Sequence, residues 1–190
     1  MSLIKIFVRF GKLFSLLSAK CFILFFSLEG TSAFADELQR NKCEVADFKF
    51  YVTLEDCKLL KSHGSKVVTF GVRLTDLRIV KAGIVEPTHM IVRIRPVSTP
   101  VLREQAGLKG IKPTSVSAGR NEYKLRDRTV YEFMGADDTP VYVSSGLMTY
   151  EGDRLFGNNI EVLYQFDGRR NDFETLDNLL LKLLRSIDLQ

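Results

Sequence analysis

The chain has no tryptophan, and only two histidines and three cysteines among its 190 residues. So few histidines leave nucleophilic catalysis short of a base, because a serine or cysteine nucleophile is usually activated by an imidazole within reach. His63 lies in a turn signal and His89 opens a strand after Pro87-Thr88, so both are expected to face solvent. None of the segments G-x-S-x-G, H-E-x-x-H, G-x-x-x-x-G-K or G-x-G-x-x-G is present. Val143-Ser144-Ser145-Gly146 reads instead as a strand running into a turn. C-x-x-C and H-x-x-x-H pairs are missing as well, which argues against a zinc site. The acidic loops lack the D-x-D-x-D-G pattern of a calcium loop. The missing tryptophan counts against a sugar-binding platform. These absences imply no enzyme, no cofactor and no metal.

The chain also lacks an excess of charge once its first 35 residues are set aside. It carries 27 Lys+Arg against 23 Asp+Glu. Lys5, Arg9, Lys12, Lys20 and Glu29 fall in that leader, so 23 basic and 22 acidic residues remain. A nucleic-acid-binding surface normally shows a large positive excess, so nucleic acid is not an expected partner.

No apolar run is long enough to span a bilayer, which takes roughly 20 residues. Phe22 to Leu28 is a short apolar stretch behind a basic start, and Ala33-Phe34-Ala35 fits the small-x-small cleavage rule. We read residues 1–35 as a Sec-type signal peptide cleaved between Ala35 and Asp36, which implies a periplasmic location and no stable membrane insertion after cleavage. An uncleaved anchor is the competing reading. Cys21 leaves with the leader. Cys43 and Cys57 are then the only thiols of an exported chain and are expected to form one disulfide.

Residues 36–190 are the right length for one domain. Phe48 to Leu54, Val67 to Leu74, Met90 to Val97, Thr129 to Met134, Pro140 to Tyr150 and Asn159 to Phe166 read as strands. Gly135 to Thr139 and Glu151 to Asn158 are expected as the hairpin connections between the last three. Thr99 to Ala106 suits a short helix with Pro100 in its first turn. Leu77 to Val85 is too short for periodicity to decide. Gly107 to Gly119 is either an exposed loop or a strand between Gly110 and Gly119.

The strongest signal is Asn171 to Leu189. Phe173, Leu176, Leu179, Leu180, Leu183, Leu184 and Ile187 recur at helical spacing, with Asn171 and Glu174 placed as a capping box. Ile187 and Leu189 could add a short final strand. The sum is an α+β domain: an antiparallel sheet of six or more strands with helices on one face, including a C-terminal amphipathic helix. A division into two lobes near residues 96–113 is compatible with the pattern.

From Gly107-Leu108-Lys109-Gly110 through the meander to Arg185-Ser186-Ile187-Asp188-Leu189, the chain resembles the C-terminal region of periplasmic immunity proteins that neutralise type VI secretion lipase effectors. It also resembles the wider group of small α+β domains related to the photosystem accessory protein PsbP and to nuclear-transport factors. The resemblance implies an exported toxin inhibitor that covers its enzyme with a rigid surface and carries no catalytic residue. The expected partner is a cognate effector enzyme. An envelope accessory or adaptor protein is the second reading. A small secreted hydrolase using loop carboxylates at Asp137-Asp138 and Glu151-x-Asp153 is the third. Loops on a rigid sheet are the usual contact points, so the candidate partner-binding residues are Leu108, Lys109, Lys112, Asp137, Asp138, Asp153, Arg154, Arg169 and Arg170.

Overall fold

The computed structural model describes residues 40–64, 66–97, 102–117 and 119–190; the leader and its cleavage point lie outside them. Strands β1 (Asn41–Val45) and β2 (Phe48–Val52) form a hairpin. In β2 the alternation of Phe48, Phe50 and Val52 with Lys49 and Tyr51 turns three apolar side chains inward. Helix α1 (Leu54–Leu59) follows, where sequence periodicity gave no signal. Its start is nonetheless local chemistry: the Thr53 hydroxyl accepts a hydrogen bond from the Asp56 amide at 3.1 Å. Cys57 of α1 is bonded to Cys43 of β1, so the disulfide ties the hairpin to the helix.

The remaining strands form one ten-stranded antiparallel sheet. They are β3 (Lys61–His63), β4 (Val67–Arg73), β5 (Arg78–Val80), β6 (His89–Pro96), β7 (Ser115–Ser117), β8 (Arg120–Lys124), β9 (Thr129–Met134), β10 (Pro140–Ser145), β11 (Thr149–Phe156) and β12 (Ile160–Asp167). Along the sheet the order is β3-β4-β6-β12-β11-β10-β9-β8-β7, with β5 also paired to β4. After β6 the chain passes through the short helix α2 (Leu102–Gln105) to the far edge. It then returns strand by strand until β12 closes against β6. The α+β class and antiparallel sheet expected from the sequence are therefore present, with more strands than the pattern disclosed.

One face of the sheet packs against helix α3 (Phe173–Ser186) and the β1–β2 hairpin. Val68, Phe70, Val92, Ile94, Val141, Val143, Val162 and Phe166 meet Leu176, Leu180, Leu183 and Leu184 in one core. The opposite face carries a smaller cluster in which Leu102, Ala106 and Leu108 cover Tyr123, Val130 and Tyr142. Alternation along β9 and β10 divides the two sets: Phe133, Val141 and Val143 point one way, Val130 and Tyr142 the other. After α3 the tail pairs with β2, with Lys49 and Gln190 exchanging both backbone hydrogen bonds at 3.1 Å. Ile187 and Leu189 are buried there.

Two expectations are corrected. The run Pro140 to Tyr150 is not one strand: it breaks at Gly146-Leu147-Met148, and most of Glu151 to Asn158 is strand β11 rather than a hairpin connection. The polar composition of EGDRLF misleads, because Glu151 and Arg154 are answered by partners on other elements. The helix cap also differs. Asp172, not Asn171, precedes α3, and its carboxylate is held by Arg170 rather than by a helix amide. Glu174 is drawn to Arg120 of β8, 3.0 Å from its Nε, and does not reach back to close a capping box.

Candidate functional site

Strand β11 lies in the middle of the sheet and carries charge on both faces. Toward α3, Arg154 is fully buried and its guanidinium donates to Asp177 of the helix and to Asp137 of the β9–β10 turn. Tyr164 on β12 donates its hydroxyl to Asp177 at 3.2 Å. Burial works to lower the Arg154 guanidinium but the two carboxylates outweigh it. Burial likewise works to raise Asp137, and Arg154 overcomes it to hold that carboxyl below its usual range. This network locks the helix and a turn onto the sheet.

On the other face the register places Asp153 between Tyr142 on β10 and Leu163 on β12. Glu161, one rung away, is fully buried and receives a two-pronged contact from Arg95 of β6, with Nη2 at 2.7 Å. Arg93 stands 3.7 Å from Glu151. Glu161 and Glu151 each face a guanidinium here, and Asp153 is the acid without a cation of its own. Burial, then the neighbouring Glu161 charge, push its carboxyl up to about 7, against the opposing pull of Arg95. A cavity of about 440 Å³ opens above it, lined by Asp153, Glu151, Gln165, Thr149, Ser144 and Arg128 among others.

The rim of this cavity is the β10–β11 turn. Gly146 and Thr149 close it through a 2.8 Å backbone hydrogen bond. Gly168 donates from its amide to the Met148 carbonyl at 2.9 Å. Gly168 lies so close that a Cβ there would sit 2.7 Å from that carbonyl oxygen. The backbone of the turn is therefore braced, while Leu147 and Met148 at its tip are 106% and 84% exposed. Turns favour polar and small residues, and nothing within the fold calls for these two apolar side chains.

The nine candidates from the sequence are scattered by the structure. Leu108 is fully buried under α2 and Arg154 under α3, so both belong to the interior and present no side chain to a partner. Asp137 is occupied by Arg154, and Asp138 is exposed beside it with a left-handed φ of 59°. Lys109 pairs with Glu104 at 3.0 Å, and Lys112 is exposed. Arg170 holds Asp172 and the Pro87 carbonyl. Only Asp153, in the cavity, and Arg169, next to Gly168 and paired with Asp167, come near the exposed tip. The Asp137-Asp138 turn lies at the other end of the sheet, since successive turns of a meander alternate ends.

Leu147, Met148 and Glu161 were missed from sequence. Two apolar residues straight after Gly146 inside an apparently continuous strand were the available signal for the tip. His63 is exposed, and His89 is half-buried beside Thr88 at 3.0 Å. Among the described residues no cluster of three or more His, Cys, Asp or Glu is arranged to hold a metal ion, and no helix is long and apolar enough to cross a membrane. No family model, no curated protein and no solved structure matches the chain.

Proposed function

We propose that the chain is an exported, non-catalytic protein that neutralises a partner enzyme by covering it, with the β10–β11 tip as the inserted element. The single observation that carries this reading is the pair Leu147 and Met148, exposed on a turn whose backbone is pinned at both ends. A pinned apolar tip loses little conformational freedom on docking, and a few central apolar residues can supply most of an interface's binding energy. Arg169 beside the tip suits a partner cleft that is apolar at its base and acidic at its rim. The Cys43–Cys57 bond fits an oxidising compartment, where such bonds persist. Within this reading a periplasmic effector hydrolase, as in type VI secretion immunity, is the partner we favour.

The test is an inhibition assay against each enzyme that a neighbouring gene encodes, a hydrolase being the expected one. Stoichiometric protein is expected to suppress turnover. The double substitution L147D/M148D should relieve inhibition by tenfold or more, equivalent to at least about 1.4 kcal/mol of lost binding, with the melting temperature unchanged. Full activity of the hydrolase in excess wild-type protein would reject the proposal.

A further inference from the structure

Oxidation chemistry has few side chains to act on in this fold. The chain has no tryptophan. Among the described residues both cysteines, Cys43 and Cys57, are joined, so no thiol stands ready to take an oxidant first. That leaves the methionine sulfurs. Met90 of β6 is 1% exposed, Met134 at the end of β9 is 59% exposed, and Met148 at the β10–β11 tip is 84% exposed. We propose that Met148 is a modification site, oxidised reversibly to the sulfoxide by a two-electron oxidant of the hypohalous acid class, and that this turns the tip from apolar to polar.

The step balances with one equivalent of hypochlorous acid. The thioether sulfur gives up two electrons and gains the oxygen, and the oxidant leaves as chloride and a proton. The backbone beneath it is fixed: the Gly168 amide donates to the Met148 carbonyl at 2.9 Å, and the Gly146 amide to the Thr149 carbonyl at 2.8 Å. The new S–O dipole therefore stays at the apex beside Leu147. Met148 belongs to neither apolar cluster, so the fold loses no core contact. Docking is affected, because a sulfoxide oxygen buried in an apolar cleft without a donor carries an uncompensated desolvation cost. That consequence rests on the docking role of the tip proposed above, whereas the modification itself does not. Met134 provides an internal comparison, since it adjoins the β9–β10 turn at the other end of the sheet. A sulfoxide there leaves the tip as it was.

The experiment treats the full folded protein with graded hypochlorous acid and maps the sulfoxides by peptide mass spectrometry. Met148 is expected to oxidise first, Met134 after it, and Met90 only once the chain unfolds. Retention on a phenyl matrix should fall in step with Met148 oxidation while the melting temperature holds. Methionine sulfoxide reductases of both epimer specificities should restore it. Met148→Leu should keep its retention through the same treatment, and Met134→Leu should lose it as the wild type does. In the inhibition assay, oxidised wild type should bind its enzyme weaker by roughly tenfold or more, and treated Met148→Leu should bind as before. Met148 oxidising no sooner than Met90 overturns the proposal, and so does retention that survives complete oxidation of Met148. Untreated protein that fails to inhibit would reject the docking role alone, because the mapping and the retention still decide this one.

Discussion

Arg154 stands in a row across the sheet with Val162, Ile94 and Val68 on one side and Val141 and Phe133 on the other. A charge in that position is tolerable only because Asp177 and Asp137 reach it from two other elements. Removing one partner from a buried charge network leaves the others uncompensated, which typically costs 3–5 kcal/mol. Arg154→Met should therefore destabilise by roughly 3–5 kcal/mol in urea unfolding, even though methionine suits the apolar row. A loss below about 1 kcal/mol would mean the carboxylates find other partners. Asp153 gives a prediction of the opposite kind. Its carboxyl near 7 holds a proton in the folded state that the unfolded chain releases near 4. Its contribution is favourable at low pH and is lost as pH rises toward and through 7, by as much as about 4 kcal/mol. Asp153→Asn should gain little on wild type at pH 4.5 and progressively more by pH 8. Stability curves that run parallel across that range would refute the assignment. Using the difference between two proteins removes the acid-side losses expected from carboxyls held low, such as Asp167 and Asp76, both at about 2.

Elements show how far the sequence could be read. The helix α3 was legible because seven apolar positions repeat at its period, and its buried set includes Phe173, Leu176, Leu180, Leu183 and Leu184. Strands with an apolar face, such as β6 with Met90, Val92 and Ile94, were legible for the same reason. Strand β11 was not, because its residues are acceptable in a sheet only through charges supplied by β6, α3 and the β9–β10 turn. Gly152 adds to this: the Tyr164 ring occupies the space where a Cβ would stand, 2.1 Å from its Cζ, so a glycine that looks like a turn signal is a packing requirement. Strand β1 was hidden too, since only Cys43 of its five residues is buried. The turn joining it to β2 holds Ala46 at φ 53°, a left-handed conformation that costs roughly 1 kcal/mol for a residue with a Cβ. Ala46→Gly should raise stability by about 0.5 kcal/mol, the strain relieved less the entropy that glycine adds to the unfolded chain. A fall in the urea midpoint instead would show that the turn is not strained.

At the scale of the molecule, one sheet is covered twice, and the two covers are held differently. The α2 side rests on a small cluster and on Glu132. Burial works to raise that carboxyl, but hydrogen bonds from Tyr123, Arg103 and Asn121 hold it below the usual carboxylate range. The α3 side is a continuous layer in which β2 is flanked by β1 and by the C-terminal tail. Two independent ties hold that layer: the Cys43–Cys57 bond to α1, and the paired backbone of Lys49 and Gln190. Closing a loop of 14 residues in the unfolded chain is worth about 3 kcal/mol in the chain-entropy account. Replacing both cysteines by alanine should lower stability by that amount without opening the layer. The tail still pins β2, and Phe48, Phe50 and Val52 remain buried against the sheet. Amide exchange separates the two ties. In the double variant the Tyr51 amide, bonded to the Ile187 carbonyl at 2.7 Å, should keep protection that tracks global unfolding. Selective loss of protection at Tyr51 and Gln190 would mean that the disulfide alone holds the hairpin down.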